Sequence, residues 1–348
     1  MIKINGSRGE GGGQILRTSV SLAAALCVPL QIYNIRSNRP KPGLRPQHLS
    51  SIKTIAQLSD SVTEGLTLDS TKISLYPNRI SPQNIDIDIG TAGSITLLIQ
   101  SILQAVSITG KSFKFTITGG TDVKWSPSTD YFCKIIIPLL IKLGFSISAS
   151  VAKRGFYPQG NGKIILQITS PKQIESISFI EPEYSNIKID GIITSKSNSF
   201  HDDAESKIIE QCNVAKTFLE KHQINIDSIN TSVHNSDSFS SVICISSTSG
   251  KSFIGCDNLV TDTKKFKESG NTCSKKFLSE YTSQSTVDQH LADMIIPFLT
   301  LSKKQSIFTT SNISNHLQTN LDLCKFITGM NYQIDKKNNF CYTVTINP

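Results

Sequence analysis

The 348-residue sequence lacks several patterns that would place it in a common class of protein. It contains eight cysteines but no Cys-x-x-Cys pair, which argues against a zinc ribbon or a thioredoxin-like redox site. No apolar run approaches the roughly 18 residues of a membrane span. The first residues, Ile2-Lys3-Ile4, alternate like a strand and contain no apolar signal-peptide core. These absences predict a cytoplasmic protein with no membrane segment.

Acidic residues are outnumbered: Asp and Glu total 27 and Lys and Arg total 35, which gives a net charge of +8. A basic chain suits a polyanionic partner such as a nucleic acid, although solubility alone also accounts for such a charge. The hydrophobic fraction of 38% is ordinary for a globular protein of one or two domains. Cysteines within apolar runs, such as Val242-Ile243-Cys244-Ile245, predict buried thiols in a reducing compartment.

One alternation of apolar helix, strand, second helix and second strand occurs three times along the chain. Helical spacing of apolar residues and strand alternation, as in Phe113-Lys114-Phe115-Thr116-Ile117, mark the elements. The predicted elements are helix 13–26, strand 30–35, helix 47–58 and strand 67–75; then helix 93–106, strand 113–118, helix 129–143 and strand 145–150; then helix 287–301, strand 305–310, helix 314–327 and strand 332–335.

The rhythm breaks between the second and third copies, where residues 182–280 are rich in Ser, Asn and Asp. The elements predicted inside this segment are helix 204–221 and strands 228–234 and 240–247. The run Glu268-Ser269-Gly270-Asn271 has turn chemistry and predicts a loop near a domain boundary.

A glycine cluster near the N-terminus is followed by a run of cations. Glu10 stands among four glycines, where helix-start electrostatics or metal binding beside phosphates accounts for a carboxylate. Guanidinium groups bind phosphate oxygens bidentately, and glycines let backbone N–H groups approach an anion. The cations that lie among constraining Pro and Gly residues are Arg36, Arg39, Lys41 and Arg45. The pattern predicts a phosphate site, although a solvated cationic surface fits it as well.

His316 follows a predicted strand and stands at the start of a predicted helix. A helix N-terminus disfavours the imidazolium, so this histidine can remain neutral and attack phosphorus to give a phosphoramidate. A surface or helix-capping histidine is the simpler alternative. Copies one and three both carry His-Leu near the start of the second helix, at 48–49 and 316–317. Equivalent positions in repeats often line one shared groove.

Five motifs occur in an order that is specific to one family: EGGGQILRTS, IRxxRxKPGLRPQH, GTAGSITLLIQ, GGTD and RGFYPQGNG. Together they make the chain similar to the RNA 3′-terminal phosphate cyclase family, from about Ile4 to Tyr342 and more weakly over 182–280. The resemblance implies an α+β fold in which three repeated units, each a four-stranded sheet with two helices, form a large domain at 1–181 and 281–348. A small inserted α/β domain would occupy 182–280.

The resemblance also implies an activity, in which ATP and a divalent metal (Mg²⁺ or Mn²⁺) convert an RNA 3′-phosphate to a 2′,3′-cyclic phosphate through a histidine–AMP intermediate. His316, in the family's HxxTN motif, would be the nucleophile. The other implied sites are ATP contacts at Gln100, Pro127, His290, Asp293 and Met294, contacts to RNA and phosphates at Arg17, Arg36, Arg39 and Gln47, and a metal ligand at Glu10.

Several of these residues also have ordinary structural interpretations. Gln100 alone would be an exposed helix position, Pro127 a loop proline, and the turn around His290 and Asp293 a solvated helix start. His290 stands where the family often has tyrosine; Met294 stands where it often has glutamine and cannot make an amide hydrogen bond. Asn161 replaces a glycine but tolerates the left-handed backbone angles of its turn.

Two other classes of protein share features with this sequence. A non-catalytic relative that binds RNA or protein in ribosome assembly would resemble this fold but lack the nucleophilic histidine, so His316 argues against it. An enolpyruvyl transferase, which shares the fold in outline, would be longer and carry six repeat copies rather than three with an insert.

Overall fold

The computed structural model describes residues 1–195, 201–261 and 265–348. Within these residues four four-stranded sheets carry the fold, and three of them share one topology. In each of the three, the strands lie in the order first, second, fourth, third, and a helix precedes the second and the third strand. The predicted α+β class with three repeated units is therefore confirmed.

Units 1 and 2 follow one another without interruption. Unit 1 consists of β1 (Ile2–Asn5), α1 (Gly13–Leu26), β2 (Leu30–Tyr33), α2 (Pro46–Leu58), β3 (Val62–Glu64) and β4 (Ile73–Tyr76). Unit 2 consists of β5 (Asn84–Asp88), α3 (Ile95–Val106), β6 (Ser112–Gly119), α4 (Thr129–Tyr131), a π-helical turn (Phe132–Ile136), α5 (Ile137–Lys142), β7 (Ser146–Lys153) and β8 (Gly162–Thr169).

Unit 3 is interrupted after its first strand by the fourth sheet and two helices, here called the insert. The chain continues through β9 (Ser178–Phe179), then the insert with β10 (Lys188–Ser195), α6 (His201–Lys221), β11 (Ser228–Asn235), β12 (Ser240–Thr248), β13 (Phe253–Val260) and α7 (Phe266–Thr282). Unit 3 resumes with α8 (Gln289–Leu299), β14 (Ser306–Thr310), α9 (Asn315–Thr328), β15 (Asn331–Asn338) and β16 (Cys341–Asn347).

Two hydrophobic cores correspond to this arrangement. The larger is buried between the three sheets and the mutually packed helices α1, α2, α3, α8 and α9. The smaller lies inside the insert, between Ile187 and Phe277. Hydrogen bonds also join unit 2 to the insert. The domain boundaries at 182 and 280 stay a prediction. In the described part of the chain, no helix combines the length and apolar character needed to cross a bilayer.

The prediction of a loop at 268–271 was wrong, because these residues lie inside α7. Gly270 is not there for a turn: a Cβ at this position would collide with the carbonyl oxygen of Gln211 on α6. The neighbouring Ser269 accepts a hydrogen bond from Gln211 Nε2 at 2.8 Å. Glycine therefore permits the two insert helices to pack closely, a use of this residue that local sequence does not distinguish from a turn.

The strand predicted at 67–75 was also wrong over most of its length. Only Ile73–Tyr76 is strand, and Asp69 has a positive φ of 62° that extended backbone does not allow. The turn brings Asp69 N to the carbonyl oxygen of Leu44 at 2.9 Å, and Leu44 N to that of Ser70 at 3.0 Å. These bonds support the end of the cationic segment rather than extend the sheet.

All eight cysteines lie in the described residues and are free thiols, and six of them are buried. The prediction of buried thiols therefore holds for most, whereas Cys27 is exposed and Cys133 half-buried. Burial raises the pKa of Cys133 and of Cys212 to about 12, so both remain protonated at neutral pH.

The repeat gathers its loops at one edge of each sheet. In every unit the first two strands are parallel, so the loops that follow them leave from the same, carboxyl end. The loops after the first strands of units 1 and 2 carry the EGGG and GTAG motifs. Those after the second strands carry the cationic segment, Pro127 and the approach to His316. Most predicted site residues thus occupy equivalent places in the three units.

Candidate active site

His316 lies exposed in the first turn of α9, and its imidazole contacts the first turn of α1. Ser314 caps α9 by accepting a hydrogen bond from Leu317 N at 3.0 Å. His316 Nδ1 lies 2.5 Å from Oε1 of the buried Gln14, and Gln14 Nε2 donates to the His316 carbonyl oxygen at 3.4 Å. The two helix starts are thereby joined, although these two residues are 302 positions apart in sequence.

This contact fixes the tautomer of the neutral imidazole. Gln14 Nε2 points to a backbone carbonyl, which only accepts, so Gln14 Oε1 faces His316 and is itself an acceptor. The proton of the neutral ring must then reside on Nδ1. The lone pair is left on Nε2, the more remote ring nitrogen, and this is the arrangement that a nucleophilic imidazole requires.

Further contacts between units 1 and 3 hold the glycine loop against α9. Glu10 N donates to Thr319 Oγ1 at 3.2 Å, and Thr18 Oγ1 donates to Asn320 Oδ1 at 3.2 Å. Asn320 Nδ2 in turn donates to the carbonyl oxygen of Asp293 on α8 at 2.7 Å. The Thr and Asn of the HxxTN motif therefore tie Glu10 and Asp293 to the helix that carries His316.

The predicted phosphate-binding cations surround the start of α1. Arg39 Nη2 donates to Glu10 Oε2 at 2.6 Å and to the Glu10 carbonyl oxygen at 2.8 Å. Arg36 has a positive φ of 53°, and its Nη2 donates to the Lys41 carbonyl oxygen at 3.4 Å. Burial, with repulsion from Arg39 and Arg45, lowers the pKa of Arg36. Like charges gathered at one place without enough carboxylates create a site that favours an anion.

His48 lies buried within this cationic cluster. Its Nδ1 accepts from the backbone N–H of Arg45 at 3.2 Å, and its Nε2 is so near Gly13 that an added Cβ would lie 2.6 Å from it. Burial, with the positive charges of Arg17, Arg36 and Arg45, lowers the pKa of His48 to about 3. His48 and His316 thus flank residues 13 and 14, as the repeated His-Leu pairs had suggested.

Arg17 and Asp293 influence each other's ionisation near the glycine loop. Burial lowers the pKa of the half-buried Arg17 to about 10, and Glu10 and Asp293 oppose that effect. Asp293 keeps part of its surface, but desolvation of the carboxylate, with repulsion from Asp288, raises its pKa well above the ordinary value. Arg17 therefore stays cationic at neutral pH, while Asp293 is stabilised in its protonated form.

The predicted ATP contacts fall on α3, α8 and the 120–128 loop. Gln100 Nε2 contacts Met294 Sδ at 3.5 Å, so these two positions are neighbours. The buried Pro127 is fixed by its carbonyl oxygen, which accepts from Thr96 Oγ1 at 2.8 Å. His290 is exposed in the first turn of α8. Gln100 is buried, so the alternative that it is an exposed helix position was wrong.

Buried Asp288 sets the position of α8. Its carboxylate accepts from the backbone N–H groups of His290 and Leu291, both at 2.9 Å, and from that of Gly255 at 3.0 Å. The Tyr131 hydroxyl adds a bond at 2.8 Å. An N-cap with this many donors fixes the helix start that presents His290. On the other side, Ser128 N donates to Asp257 Oδ2 at 2.6 Å, which ties the residue after Pro127 to the insert.

The 120–128 loop is also fixed by a buried ionic network. Arg154 is 6% exposed and donates through Nη1 to Asp122 at 3.1 Å and to Asp130 at 2.7 Å. The two carboxylates raise the pKa of Arg154, and burial raises that of Asp130. Thr129 N donates to the other Asp122 oxygen at 2.9 Å. Both ends of the loop are therefore pinned.

A metal site made only of protein ligands is absent from the described residues, which contain no cluster of three His, Cys, Asp or Glu side chains suited to a metal. Glu10 nevertheless fits a metal that is held mainly by substrate. Mg²⁺ is usually bound by one or two carboxylates together with phosphate oxygens and water. Glu10 supplies one such carboxylate beside four arginines that attract phosphates, and its role stays a prediction.

Gln47 lies in the first turn of α2, and its Nε2 atom is buried without a hydrogen-bond partner in the described residues. A buried amide donor without a partner suits an acceptor that is added by a ligand. Sequence reasoning missed Gln14 as a site residue, whereas the repeated His-Leu pairs had already pointed to His48. The signal was present in Gln14, a polar residue that opens the apolar helix α1 in the same way that Gln100 interrupts α3.

Glu280 on α7 is a buried carboxyl group whose ionisation is opposed by Asp288, the residue that caps α8. Burial and repulsion from Asp288 raise its pKa from 4.5 to about 8. The protonated form therefore stabilises the fold below about pH 4.5, and this contribution is lost as pH rises through 8. A single group that is protonated in the folded state and ionised in the unfolded state lowers the free energy of unfolding by at most ~1.4 kcal/mol per pH unit. In Glu280→Gln the free energy of unfolding should therefore fall less steeply between about pH 5 and 7.5, by up to that amount. Urea unfolding across that range measures it, and an unchanged slope would contradict the assignment.

Comparison of the sequence with known proteins identifies the family of this chain. The sequence profile of the family described as RNA 3′-terminal phosphate cyclase matches residues 8–334. The RNA 3′-terminal phosphate cyclase of Saccharolobus solfataricus is 34% identical over 99% of this chain and 100% of its own length. The protein of the same name from Pyrococcus abyssi is 36% identical over 96% and 95%. The chain therefore belongs to the RNA 3′-terminal phosphate cyclase family.

Proposed function

We propose that the protein is an ATP-dependent RNA 3′-phosphate cyclase that acts through a covalent histidine–AMP intermediate. The observation that carries the proposal is the pair of His316 and Gln14, which leaves the Nε2 lone pair of an exposed imidazole available beside a cluster of arginines. ATP and an RNA with a 3′-terminal phosphate are the two substrates. Both are polyanions, in keeping with the net charge of +8.

In the first step, His316 Nε2 attacks the α-phosphorus of ATP. A P–N bond forms, the bond to the bridging oxygen breaks, and pyrophosphate leaves. The Nδ1 proton stays on the ring and faces Gln14, so the positive charge that develops on the imidazole is delocalised toward an amide oxygen. Arg17 and the cationic segment would neutralise the leaving pyrophosphate. A divalent metal near Glu10 would add charge neutralisation at the phosphates.

In the second step, an oxygen of the RNA 3′-phosphate attacks the same phosphorus and releases His316. The neighbouring 2′-OH then attacks the 3′-phosphate phosphorus, loses its proton, and expels AMP. The net conversion of RNA 3′-phosphate and ATP yields the 2′,3′-cyclic phosphate, AMP and pyrophosphate. Ring closure is favoured because the 2′-OH is already adjacent to the phosphate that it attacks.

The adenine of ATP would lie near Pro127 and His290. Ser128, the residue after Pro127, donates to Asp257 at 2.6 Å, and His290 lies close enough to interact electrostatically with the same carboxylate. Gln100 and Met294 contact each other at 3.5 Å and would close the same region. His290 can stack on a base, whereas Met294 supplies only a weak acceptor. We therefore expect modest discrimination between ATP and other nucleoside triphosphates.

The proposal is tested with α-labelled ATP, a divalent metal and an RNA that ends in a 3′-phosphate. Label should attach to the protein through an acid-labile, base-stable bond, and the RNA should gain a 2′,3′-cyclic end. RNA binding without either product would favour the alternative, a non-catalytic member of the family that serves as an RNA- or protein-binding factor in ribosome assembly.

Arg39 should matter more for RNA than for ATP. Because Arg39 lies exposed at the Glu10 side of the cluster, Arg39→Ala should lower turnover of 3′-phosphate RNA by roughly ten- to a hundredfold, the loss of one charge-assisted phosphate contact. Self-adenylylation should fall less. Lys53→Ala, which removes an exposed cation from α2, is the matched control. Equal losses in both steps would place Arg39 at ATP instead.

A further inference from the structure

Trp125 is the sole tryptophan of the chain and its side chain is 96% exposed. It lies in the 120–128 loop, two residues before Pro127. Its φ is +62°, a left-handed conformation in which a bulky aromatic is rare. Conformations of this kind persist where the surrounding structure imposes them, and they concentrate at functional sites. The largest side chain of the chain is thus held in water beside the proposed ATP site.

The loop that carries Trp125 is anchored rather than free. Thr121 N donates to the carbonyl oxygen of Gly155 at 2.8 Å, and Ser126 Oγ donates to that of Val123 at 2.7 Å. Buried Arg154 and the Ser128–Asp257 bond hold the two ends. An aromatic side chain on a fixed backbone can bind a planar ligand at a small cost in conformational entropy.

A second exposed aromatic lies on the adjoining loop. Asp122 pairs with Phe156 in a parallel bridge, and Tyr157, the next residue, is 70% exposed. The same loop runs back toward the phosphate site. A Cβ added at Gly160 would lie 2.9 Å from Ala92 Cα.

Gly93, one residue beyond Ala92, completes this connection. A Cβ added at Gly93 would lie 3.6 Å from Gln47 Cβ. The two aromatics are therefore connected through packed loops to the first turn of α2, where the cationic segment ends.

Charge and shape both point to single-stranded RNA as the occupant. Exposed Lys124 directly precedes Trp125, exposed Lys163 lies at the start of β8 just after the loop that carries Tyr157, and the whole chain carries +8. Unpaired bases stack on aromatic side chains regardless of sequence, while cations follow the phosphate backbone. A protein partner or a second copy of the chain would gain less from lysines interleaved with aromatics.

We propose that Trp125 and Tyr157 form a stacking platform for the nucleotides just upstream of the RNA 3′-phosphate. This inference rests on the proposed function, since the 3′-phosphate end must occupy the arginine cluster for upstream bases to reach the loops. The platform would make substrate choice depend on RNA length and on single-stranded character, not on base identity.

Fluorescence tests the platform directly, because Trp125 is the sole tryptophan and its emission reports on that position alone. A 3′-phosphorylated single-stranded RNA of about ten nucleotides, within the range that one binding groove covers, should quench the emission. A dinucleotide that ends in a 3′-phosphate should not. Emission that stays constant while the long RNA binds and is cyclised would overturn the proposal.

Affinity for the same two RNAs gives the second readout. Trp125→Ala should weaken binding of the long RNA by roughly 5- to 150-fold, the cost of one lost stacking contact, and bring it closer to that of the dinucleotide. Trp125→Phe should retain most of the preference. Phe340→Ala, which removes a 70% exposed aromatic from the turn between β15 and β16, is the matched control and should change nothing.

The remaining outcomes separate the inference from the proposed function. A Trp125→Ala variant that keeps the wild-type affinity for the long RNA and the wild-type preference over the dinucleotide would overturn the platform while leaving cyclisation intact. If sedimentation shows that Trp125→Ala forms a smaller assembly than wild type, the surface around Trp125 is instead a contact between copies of the chain. Absence of any cyclic product would overturn the proposed function, and the platform with it.

Discussion

Replacing His316 with alanine is expected to abolish both the covalent AMP adduct and the cyclic RNA product. Loss of the imidazole removes the lone pair that attacks phosphorus, and no neighbouring group in the described site can take its place. His48 is buried and its pKa is lowered to about 3, and its Nε2 faces Gly13. Denaturing gels with α-labelled ATP measure the adduct, and chromatography of labelled RNA measures the product.

The control for this experiment is His290→Ala, which removes a second exposed imidazole, in the first turn of α8. It should retain labelling at reduced ATP affinity, because His290 is proposed to contact adenine and not the α-phosphate. Gln14→Ala should slow the labelling without abolishing it, since Nδ1 loses the acceptor that fixes the tautomer. An adduct that survives His316→Ala but not His290→Ala would mean that the nucleophile has been assigned to the wrong histidine.

Arg154→Met is expected to lower the free energy of unfolding by about 3–5 kcal/mol, the usual cost of removing one partner from a buried ion pair. Asp122 and Asp130 would be left buried without their cation, and both are within 3.1 Å of the guanidinium. Because Asp130 already has a raised pKa, it would be protonated more readily, so the deficit should narrow as the pH is lowered. Urea unfolding at two pH values measures both effects.

Lys153→Met provides the matched control at the adjacent residue. Lys153 pairs with Asp237 at 3.1 Å, but both side chains are more than 40% exposed. Solvent screening reduces such pairs to about 0–1 kcal/mol. If the two variants were equally destabilised, the buried network would have no special role in stability. If Arg154→Met is strongly destabilised and also loses the change in Trp125 emission on RNA binding, the 120–128 loop depends on the buried Arg154 network.

Sequence patterns recovered the repeat but not all of its strands. Helices with a long apolar stripe, such as α1, α3 and α8, were predicted within two residues of their ends or better. The first strand of unit 3 has two residues, which is too short for alternation to be recognised. The strand 67–75 failed because the positive φ of Asp69 depends on its bonds to Leu44, a contact that no local pattern encodes.

The candidate site was predictable where residue type alone carries chemistry. A histidine at a helix start and arginines among prolines each also have an ordinary surface interpretation, and the structure brings them together at α1. Pairings across the repeats were not predictable: Gln14 contacts His316, and Arg39 contacts Glu10, through packing of α1 on α9 and folding of the cationic segment. Trp125 went unnoticed because a lone aromatic in a polar loop has no periodicity.

The insert separates the first strand of unit 3 from the rest of its sheet. Ile177 N donates to Ser306 Oγ across 129 residues, so this sheet closes only after the whole insert has been synthesised. Because the insert has its own core, it can fold first and shorten the effective loop, which limits the entropy lost on closure. During translation, a chain that has reached the end of the insert carries every arginine of the proposed phosphate site but not His316, the proposed nucleophile. Under the proposed function, catalytic competence would require the docking of α9 on α1, a contact between residues 302 positions apart, and chains truncated before α9 would not consume ATP.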